Sequence, residues 1–171
     1  MGTWTTTPRT WVAGEVPTAT HFNENVRDLG RAFADAFTSY TPTLKDSTNA
    51  TLANWTCTGK YLRAGKFVVA RFDLVAGSSP GVGTGVWRID LPATAAALGA
   101  PNPWSVGSFL VVDASAGGMS EGRISIDGTG YCSLWYLTTN VNSAQTGVAG
   151  GAPITWASGD RIVGSFTYEA A

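Results

Sequence analysis

Side chains able to do acid–base or metal chemistry are few in this chain. Its 171 residues include one histidine, two cysteines and 12 acidic residues. His21 follows Thr20 in what reads as the first turn of a helix, where a role in helix capping is expected rather than catalysis or metal binding. The sequence therefore predicts no metal ion and no other cofactor.

The carboxylates do not form a cluster in the sequence. Asp73, Asp90, Asp113 and Asp127 each stand near the end of a predicted strand. A glycoside hydrolase needs two carboxyl groups about 5 to 9 Å apart in space, and the sequence leaves such a pair open. Because acidic residues at strand ends are usually solvated turn residues, we expect that the protein is not an enzyme.

Two other residue types carry reactivity or recognition. Cys57 and Cys132 are far apart and form no CxxC pair, so two free buried thiols are expected, with a disulfide as the alternative. Exposed tryptophans stack on sugar rings, and Trp104 and Trp156, which adjoin loop residues, are the candidates for contact with glycan.

Composition excludes several partners. Charged residues make up 13% of the chain, against about 25% in an average soluble protein. The net charge of −1 provides no basic field for nucleic acid. No apolar run approaches the roughly 18 residues of a membrane helix, and the opening residues lack the layout of a signal peptide. We expect neither nucleic-acid binding nor membrane insertion.

Three regions must position these residues, and the first is residues 1–17. Its prolines and Gly14 oppose a helix and predict an extended arm. Trp4 and Trp11 are too large for so short a segment to bury, so they are expected to dock on the body of the protein or on a neighbour. Together with Arg9 they are the predicted anchoring residues.

Residues 18–38 are the second region and predict an amphipathic helix. Thr18 or Thr20, after Pro17, suits the N-cap. Apolar residues recur every three or four positions, as a helix with one covered face requires: Phe22, Val26, Leu29, Phe33 and Phe37. This stripe packs either across the rest of the protein or against copies of itself, and the pattern alone leaves both open.

Residues 39–171 form the third region, in which the period of hydrophobicity changes to two. Short alternating segments, such as Phe67–Val75 and Arg161–Tyr168, are separated by clusters of Gly, Ser and Asn. Seven or eight such strands predict a mainly β fold, an antiparallel β-sandwich of the jelly-roll type, with a closed barrel as the alternative.

The opening of the chain resembles that of many tailed-bacteriophage structural proteins. The matching string runs from Pro8 to Asp28 and contains Pro-Arg-Thr-Trp at 8–11, Gly14-Glu15, Thr18-Ala19 and Arg27-Asp28. Downstream, Tyr40-Thr41-Pro42, Gly59-Lys60-Tyr61 and Gly85-Val86-Trp87 look like the β-domains of such proteins, more loosely.

The resemblance implies a non-enzymatic protein of the virion, made in the cytoplasm of a bacterial host. It implies a homotrimer in which the apolar stripe of residues 18–38 meets at a common axis, and an arm that grips another capsid or tail protein. We expect a capsid decoration protein before a tail or fibre protein, because one compact domain lacks the length of a fibre. The alternative is a tail-fibre or adhesin module that binds a receptor or a host surface glycan.

Overall fold

A computed structural model describes residues 12–16, 18–22, 37–97, 104–126, 128, 130–137 and 145–171. The described chain is mainly β, as predicted, with ten strands and one helical turn, α1 (Ala19–Phe22). The strands are β1 (Thr38–Tyr40), β2 (Leu44–Lys45), β3 (Trp55–Ala64), β4 (Phe67–Ala76), β5 (Arg88–Asp90), β6 (Trp104–Asp113), β7 (Gly118–Ile126), β8 (Tyr131–Leu137), β9 (Gln145–Gly147) and β10 (Arg161–Glu169).

The strands pair antiparallel throughout and belong to one sheet. Their order is β1-β3-β4-β10-β6-β7-β8-β5-β2, with β9 paired to β8. The last strand, β10, lies at the centre and bonds to β4 on one side and to β6 on the other. The predicted antiparallel β fold is confirmed, whereas the two stacked sheets of a jelly-roll sandwich stay a prediction.

The sheet must curl strongly, because its two edges are almost consecutive in sequence. A flat sheet of nine strands would hold its edges roughly 38 Å apart. Yet the edge strands β1 and β2 are joined by only residues 41–43, which allow at most about 14 Å between the Cα atoms of Tyr40 and Leu44. The rings of Trp55 in β3 and Trp87 beside β5 accordingly lie 5.3 Å apart, although five strands separate β3 from β5 along the order. The curled sheet encloses the core.

The inner face of the sheet follows the predicted alternation. In β4, for example, Val68, Ala70, Phe72 and Leu74 are buried while the residues between them face outwards. The same alternation in β10 buries Ile162, Phe166 and Tyr168. The odd-numbered residues of β4 and β10 therefore form a shared outer face.

Glycines and aromatic rings alternate across the inner face. Direct cross-strand neighbours form one row over seven strands, in the order Tyr40, Gly59, Phe72, Gly164, Phe109, Gly122 and Tyr136. A Cβ atom on any of the three glycines would overlap a ring of this row. The missing side chains thus provide the space in which the rings pack, and they let the sheet bend.

Three tryptophans pack together inside the curl. The Trp156 ring lies 5.3 Å from that of Trp55 and 4.9 Å from that of Trp87. Each indole nitrogen donates a 2.9 Å hydrogen bond to a backbone carbonyl, those of Gly81, Val82 and Ala149. The polar edge of every ring is thereby satisfied while its apolar area is buried.

The helix prediction is corrected at its C-terminal end and is otherwise largely untested. Helical backbone is seen at Ala19–Phe22, but Phe37 is not helical, and Thr38 already pairs with Tyr61 in the β1–β3 ladder. These residues are extended rather than helical because residues 38–40 pair with β3 and form the edge of the sheet. The arm residues Trp4, Arg9 and Trp11, and Val26, Leu29 and Phe33 of the stripe, lie outside the described residues. In the part described, no helix is long and apolar enough to cross a membrane.

Candidate functional site

The outer face of the sheet carries a groove of about 530 Å³ at strands β1, β3 and β4. The groove is lined by Ser39, Tyr40, Thr41, Thr58, Gly59, Lys60, Arg71, Phe72 and Asp73, which present both polar groups and apolar surface. The alternation of the strands explains the three charged residues of this lining, since Lys60, Arg71 and Asp73 all stand on the face opposite the core.

Two cations stand side by side in this groove. Lys60 is directly opposite Arg71 in the β3–β4 ladder, and both side chains are exposed. Side chains directly opposite on antiparallel strands have Cβ atoms about 4.5 to 5.5 Å apart, and like charges in that arrangement are unfavourable. Among the described residues, neither cation has an acidic partner.

The nearby carboxylate is occupied elsewhere. Asp73 accepts two hydrogen bonds from Arg161, one of them 3.0 Å from Nε to Oδ1 and the other from the terminal guanidinium nitrogen. The same contact raises the pKa of Arg161. Asp73 therefore contributes little free negative charge to the groove, and Lys60 and Arg71 give it a positive character.

An aromatic ring orients the second cation. The Arg71 guanidinium carbon lies 5.0 Å from the centre of the Phe37 ring, in a cation–π contact. Stacking uses one face of the guanidinium and leaves its in-plane N–H donors available. Phe37, which was predicted to lie on the helix stripe, instead supports an exposed arginine of the sheet.

A second, smaller groove of about 430 Å³ continues the first across the outer face. Its lining includes Ser108, Leu110, Glu121, Val163 and Ser165 from β6, β7 and β10. One row of cross-strand neighbours runs through both grooves in the order Ser39, Lys60, Arg71, Ser165, Ser108 and Arg123. We call this set the outer row. It places cations toward both ends and hydroxyl groups between them.

A buried polar cluster lies on the outer face of β5, β7 and β8. The guanidinium of Arg88 lies 4.5 Å from the Tyr131 ring centre, and its Nη1 donates to the carbonyl of Ser47. Arg88 Nε, Ser125 Oγ and Trp135 Nε1 are buried without a hydrogen-bond partner. Trp135 therefore lies on the face of the sheet opposite the core.

The acidic residues of the loops are used for structure. Asp46 is 4% exposed and accepts hydrogen bonds from Thr48, Ala50 and Thr84, tying two loops together. The hydroxyl of Thr48 and the backbone of Thr84 hold the pKa of Asp46 far below its usual range. Asp160, fully buried, accepts from the backbone N–H groups of Ala114 and Ala157.

The remaining predicted carboxylates also have local partners. Asp90 pairs with Lys45 at 2.9 Å, and Asp113 closes a turn by accepting from Ser115 and Ala116. The N–H of Ala116 and the Ser115 hydroxyl lower the pKa of Asp113. Asp127 lies outside the described residues. Within the described chain, no three His, Cys, Asp or Glu side chains are grouped so that they would hold a metal ion.

The two cysteines are free thiols, as expected. Cys132 is fully buried, and its Sγ lies 3.6 Å from the carbonyl oxygen of Ile89. Cys57 is half-buried, and burial raises the pKa of its thiol. A raised pKa lowers the thiolate fraction at neutral pH, which makes the Cys57 thiol a poor nucleophile.

The candidate glycan residues need one correction. Trp156 is only 7% exposed, because it belongs to the tryptophan cluster of the core, so it does not offer a surface for stacking on sugar. Trp104 begins β6 and pairs with Ile126, and its side chain is outside what the structure describes. The outer row was not predicted, because strand pairing brings its members together from six different strands.

A search of protein-family models, curated proteins and solved structures found no match to this chain.

Proposed function

We propose that this chain is a non-enzymatic structural protein of a tailed-bacteriophage virion. The observation that carries the proposal is the string from Pro8 to Asp28, which resembles the opening of such proteins. In this proposal residues 1–17 anchor the protein to another capsid or tail protein through Trp4, Arg9 and Trp11. The β-domain is displayed on the particle surface.

The same proposal makes the protein a homotrimer. Three copies of the segment that follows the arm bring Phe22, Val26, Leu29 and Phe33 to a threefold axis, where their apolar area is covered. Phe37 is omitted from this seam, because it supports Arg71 on the sheet. The β-domain begins directly afterwards at Thr38, so the segment leads into an edge of the sheet.

Capsid decoration is the preferred location in the particle. All the strands that the structure describes belong to one curled sheet of limited length, which supports a surface module better than an elongated fibre. Low charge supports lateral packing, since surfaces rich in Ser and Thr meet without desolvating ions. A jelly-roll-like arrangement of the domain belongs to this proposal and is tested by an experimental structure of the trimer.

The absolute mass of the purified protein tests the trimer. Light scattering should give three times the chain mass of 17.8 kDa for the full-length protein, and the mass of a single chain for a variant that begins at Phe37. The cut is placed before β1, because Tyr40 packs against Gly59 and its removal would damage the sheet. A monomer in both samples would overturn the proposed trimer.

Point substitutions separate a specific seam from a general effect of truncation. Val26→Asp with Leu29→Asp puts two negative charges on the stripe and should give monomers. Asn23→Asp with Arg31→Gln changes the net charge equally on the opposite face and should leave the trimer intact. Equal dissociation of both variants would contradict packing through this stripe.

Incorporation into particles tests the arm. Deleting residues 2–17 should abolish incorporation while the β-domain keeps its far-ultraviolet circular dichroism and thermal transition. Retained incorporation would show that the anchor lies elsewhere in the chain.

A further inference from the structure

We propose that the outer row is a binding site for a sparsely charged anionic oligosaccharide, with Lys60 and Arg71 as its anion-binding residues. This inference rests on the proposed function for its setting, the displayed face of a virion protein, but the binding is a property of the β-domain itself. It replaces Trp156 as the candidate glycan contact.

Lys60 and Arg71 form a pair of positive charges that no acidic side chain among the described residues balances. Lys60 and Arg71 are direct cross-strand neighbours, and the adjacent carboxylate of Asp73 is held by Arg161. Two like charges that face each other destabilise the free protein. An anionic ligand between them would remove this repulsion and accept a charge-assisted hydrogen bond from each cation. Arrangements that disfavour the free fold in this way are typical of binding sites.

The second argument is the shape and chemistry of the surface beside the pair. The groove of about 530 Å³ offers the hydroxyl groups of Ser39 and Thr58 next to the cations. The neighbouring groove adds Ser108 and Ser165, with the half-buried apolar side chains of Leu110 and Val163 beside them. A sugar ring presents hydroxyl edges and an apolar face, and this surface provides partners for both.

The length of the outer row fits more than one sugar unit. Lys60 in β3 and Arg123 in β7 are four strand spacings apart, which is roughly 19 Å. Lys60 and Arg71 stand at one end of this span and Arg123 at the other, with Ser165 and Ser108 between them. An oligosaccharide with acidic groups on separated units meets this spacing better than a single small anion does.

Charge and lining argue against nucleic acid. The net charge of −1 gives no long-range attraction for a densely charged polyphosphate. Binding of single strands also relies on exposed aromatic rings for base stacking. In the grooves as described, Phe72 and Phe109 are buried at 4% and 3% exposure, and the Tyr40 ring packs over Gly59. A carboxylated or phosphorylated sugar is therefore the favoured ligand class.

The test is binding of defined probes to the full chain by isothermal titration calorimetry at low and moderate salt. Hyaluronan oligomers carry one carboxylate on every second sugar unit, dextran oligomers phosphorylated at low density carry separated phosphates, and unmodified dextran oligomers are neutral. We expect at least one of the anionic probes to bind and the neutral probe not to bind, with affinity falling as salt rises. The stronger of the two anionic probes identifies the acidic group.

Substitutions assign the site. Lys60→Gln with Arg71→Gln should weaken binding at least tenfold, because each lost charge-assisted hydrogen bond contributes strongly to affinity. Arg63→Gln with Lys66→Gln removes the same charge near the β3–β4 turn and should change affinity less than twofold. Asp73→Asn should change the affinity in the opposite direction and tighten binding of the anionic probe severalfold. The substitution releases Arg161 and removes a negative charge.

Several results would overturn the inference. These are failure of both anionic probes to bind, equal weakening by the two double variants, or equally tight binding of a single-stranded oligonucleotide. The mass measurement on the same samples keeps this test separate from the proposed function. A trimer that binds no probe rejects the site alone, and a monomer that binds the hyaluronan oligomers rejects the assembly alone.

Discussion

Phe109 stands directly opposite Gly122 in the β6–β7 ladder, and its ring occupies the space that a Cβ atom of residue 122 would need. Similar ring-over-glycine contacts are repeated at Gly59 and Gly164. The curl of the sheet, and with it the outer row on the opposite face, depends on this packing.

Replacing Gly122 with Ala should therefore destabilise the fold. The new methyl group would overlap the Phe109 ring and crowd the carbonyl of Trp135, and overpacking of this kind costs about 1 to 3 kcal/mol. Gly130→Ala is the control, because no atom lies within 4 Å of its added Cβ. The free energy of unfolding in urea measures both, and an equal loss in the two variants would contradict the steric account.

The hydroxyl of Tyr40 is expected to be dispensable for stability. It is buried without a hydrogen-bond partner, and burial raises its pKa. Tyr40→Phe should leave the free energy of unfolding unchanged or raise it by up to about 1 kcal/mol, since an unsatisfied buried group is removed.

Tyr168→Phe is the matched comparison for Tyr40→Phe. The Tyr168 hydroxyl donates to the carbonyl of Ala93 at 2.7 Å and accepts from its N–H at 3.1 Å. Its removal should cost roughly 1 kcal/mol. A loss at Tyr40 as large as that at Tyr168 would mean that the Tyr40 hydroxyl has a partner in solution.

Asp46 should make stability depend on pH. Its folded pKa lies below the ordinary carboxyl value of about 4, so its contribution is fully present above that value and is lost as the pH falls through the lower folded pKa. Asp46→Asn should lower the melting temperature at pH 7. The two carboxylate oxygens accept from the N–H groups of Thr48, Ala50 and Thr84, and the asparagine amide replaces one of these acceptors with an NH₂ donor.

The pH dependence of the melting temperature measures this contribution. The difference between wild type and Asp46→Asn should shrink as the pH falls from 5 to 2. Glu121→Gln, which alters an exposed carboxylate of β7, is the control. Its melting temperature should stay close to that of wild type at every pH. A difference between wild type and Asp46→Asn that does not change with pH would contradict the prediction.

Trp156 should behave as a core residue and not as a ligand contact. Trp156→Ala empties the space between Trp55 and Trp87 and should cost about 3 to 5 kcal/mol of unfolding free energy. Met119→Ala removes a side chain that is 71% exposed and should change stability by less than about 0.5 kcal/mol. A small effect at Trp156 would place it outside the core.

Much of the β architecture was predictable from local pattern. Alternation of apolar and polar residues marked β4 and β10 within one residue of their observed bounds, because one face of each strand must be buried. The short strands β1, β2 and β9 were missed. Two or three residues are too few to establish a period, and only pairing with a neighbouring strand makes them extended.

The sequence by itself determined the β class, the antiparallel hairpins and the resemblance of residues 8–28, since all of these depend on neighbours along the chain. Tertiary structure alone decided that Trp156 is buried, that Phe37 supports Arg71, and that Lys60, Arg71 and Arg123 share one row. Register and curl arise from contacts between residues distant in sequence, and a pattern read along one strand does not contain them.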